Sequence, residues 1–160
     1  MIDTHILNER LKRLEPKETK CTFCKNAYST KMNDNYFVPI FKERDRTNII
    51  VYSSVKFSKI LIGIPRCISC REIHTASVKK SNLIAVVFSL STIILSFLIF
   101  GPYGFYGIFI GLFIGFGGSY FLTKKFVSDK GILNPKEGAQ QDKTTQLFIM
   151  GGWTFNQPTA

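Results

Sequence analysis

Apolar and polar positions divide the chain sharply. Residues 83–100 read LIAVVFSLSTIILSFLIF and residues 105–122 read FYGIFIGLFIGFGGSYFL. From Leu83 to Leu122 there is no Asp, Glu, Lys, Arg or His. Each stretch is about 18 residues, or about 27 Å of helix, close to the ~30 Å hydrocarbon core of a bilayer. Between them Gly101-Pro102-Tyr103-Gly104 predicts a tight reversal, because proline cannot continue the helical hydrogen bonding and glycine permits a turn. The pattern predicts a two-helix transmembrane hairpin.

Upstream the period changes. Residues 36–42 (YFVPIFK), 49–54 (IIVYSS) and 55–64 (VKFSKILIGI) are rich in β-branched and aromatic side chains and predict strands. ERDRTN, residues 43–48, predicts a charged turn between the first two, and Pro39 predicts an edge position for the first strand. At the N-terminus, Leu7, Leu11 and Leu14 fall on one face of a helix capped by Asp3 or Thr4. That helix would pack on the small sheet and leave His5 exposed in its first turn. Downstream, a polar stretch leads to an apolar segment, 147–155, with Leu147, Phe148, Ile149, Met150, Trp153 and Phe155. A short helix through Met150 ended by Gly151-Gly152 is expected. Its apolar side chains would dock on the head, lie among lipid headgroups, or anchor in a partner's groove, Leu147, Phe148, Trp153 and Phe155 foremost. The architecture expected is thus an α+β membrane protein: a head over residues 1–78, a hairpin over 79–125 and a tail over 126–160.

Charge supplies orientation. The 21 Lys and Arg and 11 Asp and Glu all lie outside the apolar window, giving a net +10. The N-terminal stretch has charges where a signal peptide has its apolar core, and no small-residue cleavage site. Lys79 and Lys80 precede the first helix, Lys124 and Lys125 follow the second, and the turn has no cation. The positive-inside rule then places both termini in the cytoplasm of, we expect, a bacterial inner membrane, with Tyr103 and Tyr106 at the outer interface and Tyr120 at the inner one.

Small residues mark the helix surfaces. Gly107, Gly111, Gly115 and Ser119 recur every fourth residue, and Ala85, Ser89, Thr92 and Ser96 form a similar strip on the first helix. Such strips allow close helix approach, either within one hairpin or between this chain and another copy or partner. Gly117 and Gly118 add a site for a kink.

Cysteine spacing supplies the candidate chemistry. Cys21-x-x-Cys24 and Cys67-x-x-Cys70 are separated by 42 residues and contain all four cysteines. Two thiolates on one tight turn can point at one ion, and two such turns complete a tetrahedral site with Zn–S bonds of about 2.3 Å. Structural Zn(2+) is the reading favoured; iron, redox chemistry and disulfides are the alternatives, the last disfavoured by a cytosolic head. A head of about 80 residues gains folding free energy from a bound metal. His74 is surplus to four thiolates and is a candidate to hydrogen-bond beside the site.

PRCxxCxxxH at 65–74, two apolar helices and GWxxxxP at 152–158 together resemble small bacterial membrane proteins that carry a zinc-ribbon-like four-cysteine head on a transmembrane hairpin. The resemblance implies metal binding and membrane anchoring. Lys25 and Arg71 stand where ribbons usually have glycine. No Ser/His/Asp set, phosphate-binding glycine loop or intramembrane ionisable residue is present in the sequence. The function expected is therefore non-catalytic: a membrane-anchored zinc-binding interaction subunit, with lipid and a protein partner or a second copy as its contacts. A glycine-strip oligomer forming a pore and a membrane-tethered nucleic-acid-binding ribbon are the alternatives.

Overall fold

A computed structural model of the chain describes residues 4–49 and 52–159. They form an α+β structure of two compact units. One comprises the residues up to Ile68 and those from Pro135 onward; the other is Ser69–Asn134. The tail thus belongs with the head, and the head is discontinuous in sequence.

The head is built on a mixed four-stranded sheet, ordered β1-β2-β4-β3. Strands β1 (His5–Asn8) and β2 (Arg13–Pro16) form an antiparallel hairpin, correcting the expected N-terminal helix. Asn8 is the cause. Its Oδ1 accepts from the Leu11 amide (3.2 Å) and its Nδ2 donates to Glu15 (2.9 Å), closing a loop in which Lys12 takes a positive φ of 48°. Leu14 is buried beside Ile62, whereas Leu7 and Leu11 are exposed, so the three leucines never share a helical face. Asp3 lies outside the described residues.

His5, expected to be exposed, is buried. Its Nε2 donates to the Gly63 carbonyl (2.9 Å), and its Nδ1 lies 3.1 Å from the Thr4 hydroxyl and 3.0 Å from that of Thr144. The tautomer follows, because a carbonyl can only accept. This buried set joins β1, β4 and the tail.

Strands β3 (Tyr36–Ile49) and β4 (Tyr52–Ile64) form one long antiparallel ribbon. The expected turn at 43–48 is therefore strand. Its charged residues are tolerated because the distal ribbon is solvated: Arg46 pairs with Glu43 (2.8 Å) and Lys56 approaches Asp45 (3.9 Å). A β-bulge between Glu43 and Asp45 takes up Arg44. Near the base, Val38, Ile40, Ile62 and Ile64 are buried, while Phe41 meets Phe57 edge to face at 5.6 Å. Pro39 lies in β3, the outer strand of the order, where a missing amide is tolerated.

The tail adds α3 (Pro135–Gln141) and α4 (Lys143–Met150). Asp142 caps α4 by accepting from the Thr145 amide at 2.9 Å. After Gly151 the chain returns to the sheet, where Thr154 and Phe41 exchange two backbone hydrogen bonds of 2.8 Å. Phe148 and Trp153 pack edge to face at 5.6 Å and are half-buried, as is Phe155, while Leu147 is exposed.

The other unit corrects the expected pair of separate helices at 83–100 and 105–122. Helical elements follow one another without a gap over 61 residues, Ile68–Ser128: α1 (Ile68–Phe100), a 3-10 turn (Gly101–Phe105) that Gly101 enters with a left-handed φ of 56°, and α2 (Tyr106–Ser128). Pro102 sits at the start of that turn, where its missing amide hydrogen costs nothing. The run is not straight. Ser89 Oγ donates to the Gly111 carbonyl at 2.7 Å, although 22 positions along a straight helix would span about 33 Å. Ser81 and Thr123 also meet through their hydroxyls. The apolar side chains point mostly outward, and the run is long and apolar enough to cross a membrane.

Candidate metal centre

The first cysteine pair lies on a knuckle held by backbone bonds. The Cys21 amide donates to Ala27 (2.8 Å), and the Lys25 amide folds back onto the Cys21 carbonyl (3.0 Å). Lys25 takes a left-handed φ of 61°, the conformation for which glycine is the usual residue at this position. The Thr22 amide donates to the Pro65 carbonyl (3.0 Å), which fixes the knuckle against the chain entering the second pair.

The second pair is held differently. Pro65 follows the end of β4, Cys67 lies just ahead of α1, and Cys70 is in its first turn. A ribbon would turn at this point between strands; here the chain enters a helix. This explains Arg71, which continues the helix and needs no left-handed conformation. The N-terminal end of α1 carries a partial positive charge that favours thiolate over thiol.

The four Sγ atoms lie within 4.8 Å of one another, with Cys24 and Cys67 at 3.9 Å. A disulfide requires about 2.05 Å, whereas tetrahedral sulfurs at about 2.3 Å from zinc stand about 3.8 Å apart. The cluster therefore fits a four-coordinate metal. Cys21, Cys67 and Cys70 are buried and Cys24 is half-buried.

Several supporting residues carry no motif. Phe23, inside the first C-x-x-C, is buried, stands edge-on to Tyr36 at 6.3 Å and is pressed by Gly138 of α3. Asn35 Oδ1 accepts from Ser29 Oγ (2.6 Å) and from the Arg66 amide (3.3 Å). Arg66 Nε donates to the Asp34 carbonyl (2.9 Å), and its guanidinium lies 5.5 Å from the Tyr36 ring centre. A polar residue one position before a cysteine was the available clue for Arg66; Gly138, over a hundred positions from Phe23, gave none.

His74 is buried one turn beyond Cys70, and its Nε2 donates to the Leu133 carbonyl at 3.0 Å. Among the small-residue strips, Gly107 faces Ser96, Gly111 faces Ile93 and Ser89, and a Cβ added at Gly115 would stand 3.5 Å from Ser89 Oγ. Ala85 is buried, while Thr92 and Ser119 donate to carbonyls of their own helices, Phe88 (2.9 Å) and Phe116 (3.3 Å). Gly117 has open space where a side chain would stand, and Gly118 has nearly so.

No protein-family model matches the chain, and neither does any curated protein or solved structure. The reading of function rests on the site itself.

Proposed function

We propose that the chain is a membrane-anchored, zinc-binding and non-catalytic assembly subunit, its head at the cytosolic face of a bacterial inner membrane. The observation that carries this reading is that Cys70, a member of the four-thiolate cluster, lies on the same helix that continues into the apolar run. Four thiolates fill the tetrahedral sphere of zinc and leave no position for an activated water, so the ion's role is structural. The run would cross the bilayer twice; the contacts of Ser89 with Gly111 and of Ser96 with Gly107 support that reading. Those contacts engage the glycine strip within the chain, which is why a pore built on that strip is not adopted. Loss of the ion would loosen the junction between β4 and α1, because Cys67 and Cys70 flank it.

The test is purification in a mild detergent, with metal analysis and identification of co-purifying proteins. About one zinc per chain is expected, lost on Cys67→Ser, together with a stoichiometric partner protein. Iron in place of zinc, or a chain that purifies alone as a monomer, would refute the proposal. A Tyr103→Cys variant labelled in intact cells by an impermeant maleimide checks the topology; labelling only after lysis would reverse it.

A further inference from the structure

The sheet has an opening along β4. Its pairing with β2 is confined to Arg13↔Leu61 and Leu14↔Ile62, so from Tyr52 to Ile60 no strand occupies that side among the described residues. The Leu61 amide points to that side, toward the Lys12 carbonyl (3.5 Å). Backbone direction alternates along a strand, so the amides and carbonyls of Lys59, Phe57 and Val55 face the same opening.

Two clefts flank this edge, one on each side of the sheet. One, of about 560 Å³, has Leu11, Phe57 and Leu61 as its apolar wall. The other, of about 370 Å³, has Leu7, Ile60 and Trp153. Both share the edge itself, Ser58 and Lys59, and both are lined by Lys12 and Arg44. Glu9 is the one acid lining either. Arg44 is the residue taken up by the β-bulge, a device that re-aims a side chain. The neighbouring acids Glu43 and Asp45 are engaged by Arg46 and Lys56. Among the described residues Lys12, Arg44 and Lys59 have no ion-pair partner.

We propose that this edge is a docking site for an extended acidic segment of a partner protein, which adds to the sheet beside residues 53–59. An added strand matches every element described. Its backbone satisfies alternating donors and acceptors, its successive side chains enter the two clefts in turn, and its carboxylates meet Lys12, Arg44 and Lys59. A nucleic-acid strand fits less well, because its phosphates offer only acceptors to an edge that also presents carbonyls. A second copy fits less well, because it would bring the same basic edge, with its own Lys12, Arg44 and Lys59, against these cations instead of carboxylates. The proposal rests on the reading of the chain as an assembly subunit and names the surface and the chemistry of its partner.

The test uses the full chain in a neutral detergent and a fluorescein-labelled peptide of alternating Glu and Val, followed by anisotropy. Binding is expected, weakened about tenfold by Arg44→Glu and reduced by salt. Lys59→Pro, which removes one outward amide without touching the β3 pairing, is expected to weaken binding at least about tenfold more than Lys59→Gln. Unchanged metal content checks that both variants fold. A peptide with every amide N-methylated should not bind. The proposal is overturned if the methylated peptide binds equally, if no peptide binds, or if a ten-residue oligothymidylate displaces the peptide at lower concentration. Peptide binding at this edge without any co-purifying protein would remove the assembly reading alone. A partner retained equally by wild type and Lys59→Pro would remove the edge alone.

Discussion

Gly138 offers a direct test of how the tail supports the metal centre. A Cβ built there would collide with the Phe23 ring, meeting Cδ1 at 2.8 Å and Cζ at 3.0 Å as well as Cε1. Phe23 has little room to retreat, being 2 % exposed, with Tyr36 against it. Forcing a methyl group into such a contact costs about 1–3 kcal/mol, while replacing glycine inside a helix by alanine returns about 1 kcal/mol. Gly138→Ala should therefore destabilise the head by about 1 kcal/mol net. Because Phe23 lies between Cys21 and Cys24, that loss should appear in metal affinity, as about a fivefold weaker apparent zinc constant. Competition with a chromophoric chelator measures it directly. Phe23→Leu combined with Gly138→Ala should cost less than the two changes summed, since the smaller side chain makes room. A Gly138→Ala chain that melts higher and holds zinc as tightly as wild type would refute the packing argument.

Three further outcomes follow from the geometry. Gly111→Ala should destabilise the helical run, since its methyl would lie 2.6 Å from Ile93 Cγ1, whereas Gly117→Ala, with open space, should be neutral or stabilising by up to about 1 kcal/mol; resistance to SDS in mixed micelles ranks the two. Lys25→Gly relieves a left-handed conformation worth about 1–2 kcal/mol and returns about 0.4–1 kcal/mol of it as unfolded-state entropy, so a small rise in the melting temperature of the zinc-loaded protein is expected, and a fall would contradict it. The Arg13 guanidinium, and then Asn8, hold the Glu15 carboxyl below its ordinary value of 4.5. A depressed carboxylate stabilises the fold above its unfolded value, and that contribution fades as pH falls through the folded value. The melting difference between wild type and Glu15→Gln should accordingly be full near neutrality and shrink below about pH 4.5; a constant difference would show that the charge is immaterial.

What could be read from the residues was local. Four thiolates in two short spacings report their own chemistry, and forty positions without a charge report a helical run of membrane length. The stop at Gly151 was readable because a helix end is made by the residues at that end. The misread segments obeyed contacts from elsewhere. Leu7, Leu11 and Leu14 have helical spacing, but Asn8 closes a turn between them and Leu14 finds Ile62, far along the chain. Residues 43–48 look like a turn because charge usually marks one, yet on a ribbon solvated on both faces charge is compatible with strand. The start of α1 was placed too late because the charges before Leu83 end the apolar stretch and say nothing about where helical hydrogen bonding begins. Hydrogen bonds from His5 to Gly63 and Thr144, and the pairing of Thr154 with Phe41, carry no local signature at all.

The discontinuity of the head imposes an order on its synthesis. A ribosome that has completed Asn134 has made all four cysteines and the entire apolar run. It has not yet made Gly138, Thr144 or Thr154, the residues that press on Phe23, meet His5 and pair with Phe41. The apolar run is therefore complete while the head is still unfinished, and Phe41 gains its backbone partner only once Thr154 has emerged. A stop codon shortly after the second apolar stretch would leave the metal site without its supporting wall, so truncations between Asn134 and Thr154 should surface as a weakened metal site while the apolar run is left intact.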